Sequence, residues 1–315
     1  MKGRLEYIII FGFCLQAFTA FNLSAKGVNT TYGSLTSRNK PFIVFYPRRY
    51  DKMAKRIRMI LNNSSGRIAS DLGLGKIDTI RVYIAGNKED YRTLHGEAAP
   101  EWSEACSDLR NMRLCINTEA VLREQRPVRI VITHELSHLL FAQRVRGTRC
   151  PTWFLEGLAM RQSGEWDFSD HWHFMVSVWK KNLPDLEDLR GKFPKSGEDA
   201  AMAYRLSYIA VKELFAERPE DLMTLTAFTR DSGDFNRAFI LTFGKSPLDF
   251  AAEFHATLGD KYRKGYILAV SAPFWVGMVI LFLVAYNVKR YRARVKIRKW
   301  EEEEMAAQRQ TESEV

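Results

Sequence analysis

The stretch Val131-Ile132-Thr133-His134-Glu135-Leu136-Ser137-His138-Leu139-Leu140 decides how the rest of the chain is read. Two histidines four residues apart lie on one face of a helix, one turn from each other, so both imidazoles reach a single point in space. Glu135 is rotated about 100° from His134 around the same helix, beside that point rather than at it. Leu136, Leu139 and Leu140 give the helix a buried side. A lone helical histidine is usually a packing residue. A pair at this spacing with a carboxylate between them points to a metal ion, and the carboxylate stands where a general base for water belongs.

A reactive metal centre needs a third protein ligand and an open position. Eighteen residues after His138 the chain reads Pro151-Thr152-Trp153-Phe154-Leu155-Glu156-Gly157-Leu158-Ala159-Met160. Pro151 or Thr152 can start a helix, which puts Glu156 about one turn in. Its neighbours are apolar, and an acid in such company needs a partner. The loop from Gln143 to Cys150 is long enough to fold this helix back against the first. Glu156 is therefore the expected third ligand, completing a His134–His138–Glu156 set suited to Zn2+.

Two apolar segments set the expected topology. Residues 1–25 begin with Lys2 and Arg4, continue apolar from Tyr7 to Phe21 and end on Ser24 and Ala25, the pattern of a secretory signal peptide. Residues 266–286, YILAVSAPFWVGMVILFLVAY, carry no charge over a length that spans a bilayer, with a tyrosine at each end. Pro273 is tolerable in such a helix. The following KRYRARVKIRK (289–299) holds seven basic residues and no acid, which favours the cytoplasmic side. The expected organisation is signal peptide (1–25), linker (26–40), extracytoplasmic domain (41–265), transmembrane helix (266–286) and cytoplasmic tail (287–315). The tail is polar and expected to be frayed or disordered.

Within the extracytoplasmic part, PFIVFYP (41–47), IDTIRVYIA (77–85) and RLCIN (113–117) read as strands. Residues 50–72 and NKEDYRTLHG (87–96) read as helices, and from Pro127 the pattern is helical almost to the apolar segment. The fold class is α+β, with a small sheet and helices followed by an all-helical half. Net charge is +10, most of it in this middle part. The Arg- and Lys-rich stretch from Arg48 to Arg67 reads as a solvated helix face, or as a contact to anionic headgroups. Nucleic acid is not an expected partner in that compartment. Four cysteines are too few for a disulfide scaffold. Cys106 and Cys115 are close enough to staple one loop and leave Cys150 free, although sequence alone does not choose among the three pairings.

HELSH followed by PTWFLEGLA resembles the gluzincin zinc metallopeptidases, which pair HExxH with a downstream glutamate helix. The match is closest to membrane-associated peptidase MA-like domains. RVYIAGNKEDYRTLHG, RLCIN and AMAYRLSYIAVKELF (201–215) extend it over residues 77–262. The resemblance implies a hydrolase that cleaves peptide bonds with a zinc-activated water, with His134, His138 and Glu156 as ligands and Glu135 as base. Tyr204, from the AYxxS match, is the candidate oxyanion donor; Tyr208, His171 and His173 compete with it. One position departs from the pattern. Thermolysin-like members carry an acid one turn after the third ligand, where this chain has Met160, so the partner of the ligand histidines is unassigned. The RLCIN strand is a candidate edge for an extended peptide. The alternatives are a zinc-binding scaffold or chaperone for membrane proteins, against which the intact Glu135 argues, and a zinc hydrolase of a non-peptide amide or ester.

Overall fold

In the computed structural model, which describes residues 32–36, 41–95, 103–123, 126–191, 193–194 and 197–313, strands come first and helices after. The order is β1 (Tyr32–Thr36), β2 (Phe42–Pro47), α1 (Asp51–Asp71), β3 (Ile80–Ala85), α2 (Lys88–His95), β4 (Ala105–Asp108), β5 (Arg113–Asn117) and α3 (Thr118–Arg123). There follow α4 (Val128–Arg144), α5 (Thr152–Ser163), α6 (Phe168–Trp179), α7 (Gly197–Leu214), α8 (Asp221–Ser232), α9 (Phe235–Phe243) and α10 (Pro247–Ser313). This is the α+β arrangement expected, with the expected strands at their predicted places. The expected signal peptide lies outside the described residues.

The sheet has the order β1-β2-β3-β5-β4. β2, β3 and β5 run parallel, and β1 and β4 pair antiparallel at the two edges. Register sets one row of side chains across four strands: Val44 opposite Val82, Val82 opposite Leu114, Leu114 opposite Ser107. The first three are fully buried. α1 and α4 pack on the sheet. The row under the helices is thus apolar until its last member, the hydroxyl of Ser107 on β4.

Three expectations are corrected. The stretch 26–40 is not linker throughout, because Tyr32–Thr36 forms β1. Its polar sequence shows no alternation; main-chain pairing to the open side of β2 makes it a strand. RLCIN (β5) has no free edge, since β3 and β4 pair on its two sides. The edge strand on that side, among the described residues, is β4, which is too short and polar (ACSD) to stand out in the sequence. Finally, Cys115 and Cys150 are free thiols, so neither is bridged to Cys106, although Cys106 and Cys115 are cross-strand partners. Burial pushes the Cys115 thiol up to about 12, which leaves it protonated and inert.

The helical half is held by close approach of α5 to α7. A Cβ on Gly157 would lie 2.2 Å from the Ser207 carbonyl oxygen, so only glycine permits this crossing. Around it Trp153, Phe154, Phe235, Phe239 and Phe250 form an aromatic cluster with centroid separations of 5.0–6.0 Å.

Residues 260–315 form a unit of their own. Its backbone is helical to Ser313, so the expected frayed tail continues the helix; its Glu, Ala, Gln and Arg residues are good helix formers. Among the described residues, Phe274–Trp300 is long and apolar enough to cross a membrane, overlapping the expected 266–286. Its large apolar side chains are exposed.

Substituting Gly157→Ala forces α5 and α7 apart. The expected cost is about 3 kcal/mol, the upper range for overpacking. A lowered urea midpoint with an unchanged slope is the outcome to look for.

Candidate metal centre

α4 begins at Pro127, whose fixed φ suits a helix start and whose missing N–H costs nothing there. The helix is buried almost all round from Val131 to Phe141. Such burial is unusual for a segment holding two histidines and a glutamate, and it places all three where water is excluded. His134 is fully buried, Glu135 4% exposed and His138 7% exposed. The imidazoles sit edge to face with ring centroids 4.9 Å apart, as one helical turn dictates.

α5 folds back against α4 and brings Glu156 to them. Its Oε2 lies 3.3 Å from His134 Nε2 and 3.6 Å from His138 Nε2. One donor atom from each of His134, His138 and Glu156 lies within 4.8 Å of the others. The two helices are also linked by Ser137 Oγ, which donates to Gln162 Oε1 at 2.6 Å.

The protonation pattern fits a cation. His134 Nδ1 is 3.1 Å from Glu165 Oε2, so that carboxylate holds the ring proton on Nδ1 and leaves the Nε2 lone pair facing Glu156. Lone pairs converging in a dry pocket repel unless a positive charge lies between them. Burial brings the His134 pKa down to about 4, so its ring is neutral and able to ligate at neutral pH. Burial would also raise Glu156, but the charge on His138 and the close approach of both imidazoles to its Oε2 outweigh it and lower its pKa to about 2. His138 responds in the opposite sense: burial lowers it, the charge and hydrogen bond of Glu156 together with the Glu135 charge raise it more, and the net direction is up. The donor set, two nitrogens and one carboxylate oxygen, is the kind a catalytic zinc site uses, and these residues can hold such an ion.

Glu135 accepts a hydrogen bond of 2.7 Å from Ser107 Oγ, the polar end of the sheet row. Burial raises its pKa above the ordinary carboxylate value, even though the His138 charge and Ser107 oppose the shift. Tyr204 on α7 is 5% exposed, and its hydroxyl has no hydrogen-bond partner among the described residues. The charges of Glu156 and Glu135 act on it. Tyr208 stacks on Trp166 at 4.3 Å and feels Arg161 and Asp170, while His171 packs edge-on against Trp166 at 6.3 Å. His173 is half-buried on α6.

Sequence reading missed Glu165 and Ser107. Neither stands at a helical spacing from the motif, and each reaches the site through chain reversal or strand pairing. Met160, where an acid was sought, is buried and apolar. Beside the cluster a cleft of about 1220 Å³ opens, lined by His138, Phe141 and Leu155 on the inside, with Arg146, Arg149 and Phe235 around them.

Two outcomes test the assignment. One equivalent of zinc raises the thermal midpoint of the metal-free protein, and His134→Ala or Glu156→Ala removes that rise; at 1,000-fold excess over Kd the gain is about 4 kcal/mol. The affinity is also pH-dependent. His138 gains its proton above the ordinary histidine value of 6.5, so metal binding, measured by competition titration, weakens as pH falls toward 6.5 and weakens further below it.

The sequence model of the Peptidase MA superfamily matches residues 62–252, about three fifths of the chain, from the middle of α1 to the start of α10 and across the whole centre. A comparison with curated proteins gave no match. The chain belongs to the Peptidase MA superfamily.

Proposed function

We propose that this member of the Peptidase MA superfamily is a membrane-anchored, zinc-dependent peptidase that hydrolyses peptide bonds outside the cytoplasm. The observation that carries the reading is Glu135: a buried carboxylate, one residue from a ligand histidine, held by Ser107 at 2.7 Å and not itself part of the ligand cluster. A pure scaffold has no use for it.

The residues divide the work as follows. His134, His138 and Glu156 hold Zn2+, which when bound supplies a Lewis acid for the scissile carbonyl and for a water. Glu135 takes the proton from the attacking water and returns it to the leaving amine. A raised pKa suits both halves of that cycle, since it brings the carboxylate closer to the proton affinity of the groups it exchanges with. Ser107 keeps the Glu135 carboxylate aimed, because its hydroxyl holds one of the two oxygens. Tyr204 donates its otherwise unpartnered hydroxyl to the oxygen that gains negative charge in the tetrahedral state. The edge strand β4 offers its main chain to an extended peptide, and the cleft beyond His138 has room for several of its residues.

The apolar helix supports membrane anchoring, and the basic run 289–299 supports a cytoplasmic tail. The domain ahead of it then faces outward, where peptides and membrane proteins are its substrates and the lipid bilayer its other partner.

Glu135→Gln is expected to lower kcat by about 10²–10⁴-fold while zinc content stays at one equivalent. Peptide cleavage by the purified full-length chain, with metal analysis on the same sample, checks it; undiminished cleavage by Glu135→Gln sinks the mechanism. Tyr204→Phe is expected to lower kcat by about 10²-fold or more with little change in KM.

A further inference from the structure

Glu165 lies nine residues beyond Glu156, past the end of α5, yet its carboxylate meets His134 Nδ1 at 3.1 Å. Three independent features hold it there. The first is the turn that ends α5. Gly164 has φ of 71°, and the amides of Gly164 and Glu165 both donate to the Met160 carbonyl, at 3.1 and 3.2 Å. A Cβ on Gly164 would meet nothing within 4 Å, so the glycine is there for its backbone and not for space. The residue at which a second acid was sought thus contributes its main chain, and the turn it anchors returns an acid from farther along.

The second feature is Trp166, which stacks on Tyr208 of α7 at 4.3 Å with an interplanar angle of 10° and meets Phe174 of α6 at 6.4 Å. The residue after Glu165 is therefore locked to two helices. The third is Arg126, just ahead of α4. Its guanidinium pairs with Glu165 Oε1 on one side and lies 3.6 Å from Glu104 Oε2 on the other. Glu104 is itself fixed ahead of β4, where its carbonyl accepts from the Asn117 amide at 2.9 Å. With Oε1 engaged by Arg126, Oε2 is the oxygen directed at His134.

We propose that Glu165 is the positioning residue of the metal centre, fixing the tautomer and ring plane of His134, and that Arg126 is the strut that aims it by bridging Glu165 to Glu104. The proposal rests on the reading that His134 ligates a metal. A carboxylate on the far nitrogen of a ligating imidazole raises its basicity and sets which nitrogen faces the ion. An ion pair placed only to tether the α5–α6 connection would serve equally well one position away from the histidine; here the second oxygen is spent on the ring nitrogen.

The test uses the full chain in detergent with variants Glu165→Gln, Glu165→Asp, Arg126→Lys and Arg126→Gln. Zinc Kd is measured by competition with a chromophoric chelator, the visible spectrum is taken with Co2+, and thermal midpoints are taken without metal. Glu165→Gln is expected to weaken zinc about 10–100-fold and to change the cobalt bands, with a midpoint near wild type. Glu165→Asp, which keeps the charge, recovers part of the loss; Arg126→Gln loses affinity in the same direction and Arg126→Lys less. A wild-type zinc Kd and cobalt spectrum in Glu165→Gln overturn the proposal. So does a loss that merely follows a fall in metal-free stability and is not relieved by Glu165→Asp. Should Glu165→Gln fail to fold, Glu165→Asp and Gly164→Ala are read by the same criteria. Failure of the wild-type chain to bind zinc would instead remove the metallopeptidase reading itself.

Discussion

Two imidazole nitrogens and one carboxylate oxygen meet within 4.8 Å in a pocket that excludes water, and the helical half of the domain is arranged to bring them there. Helix α4 supplies two of the three by its own periodicity. The third requires α5 to pack against α4, while on another side of α5 a glycine sets its approach to α7: at Gly157 the backbone of α7 occupies the place of a side chain. The glycine follows Glu156 immediately, so the residue that allows α5 to pack on α7 and the residue that faces α4 are neighbours in sequence on different sides of one helix. Packing on one face is thereby converted into ligand geometry on the other.

The sheet serves the centre less directly. Its apolar row, Val44, Val82 and Leu114, is the surface on which the helices rest, and the row ends at the edge strand in Ser107. A fourth apolar side chain there would have packed as well. A hydroxyl in its place gives Glu135 a fixed donor, which a buried carboxylate requires if it is not to remain costly. The Glu135 carboxylate is thus positioned by strand register and the two imidazoles by helix periodicity, two separate constraints that meet at adjacent residues 134 and 135.

This division explains what the sequence made legible. His134 and His138 were readable because helical spacing converts directly into a shared face, and Glu135 because it stands between them, one residue off that face. Glu156 was readable because an acid among Trp153, Phe154 and Leu155 requires a partner. Strands β2, β3 and β5 carried enough apolar residues to be recognised. β1 and β4 did not: YGSLT and ACSD become strands through pairing partners distant in the chain, and no local pattern announces that. Glu165 was hidden for a related reason. It lies 31 residues from His134 and reaches it through a left-handed turn at Gly164, and turn geometry leaves no periodic trace. The unpaired state of Cys115 was equally out of reach, since proximity across a ladder does not decide whether a bond forms.

Charge makes the last connection. Glu104, Glu135, Glu156 and Glu165 are all wholly or largely buried around one point, and Arg126 is the arginine that pairs with two of them. One guanidinium does not balance four carboxylates in a medium of low dielectric. The protein without metal answers by holding protons: the pKa of Glu135 moves up through burial, and that of His138 moves up against burial because the charge and hydrogen bond of Glu156 and the charge of Glu135 together outweigh it. A divalent cation held by His134, His138 and Glu156 would supply the missing positive charge and let His138 give up its proton. Glu135 would then no longer carry the burden of neutralising the pocket and, under the proposed function, would be free to exchange a proton. The excess of acid that makes the empty cluster electrostatically unfavourable is therefore the property that fits it to a dication and, under the proposed reaction, primes its base.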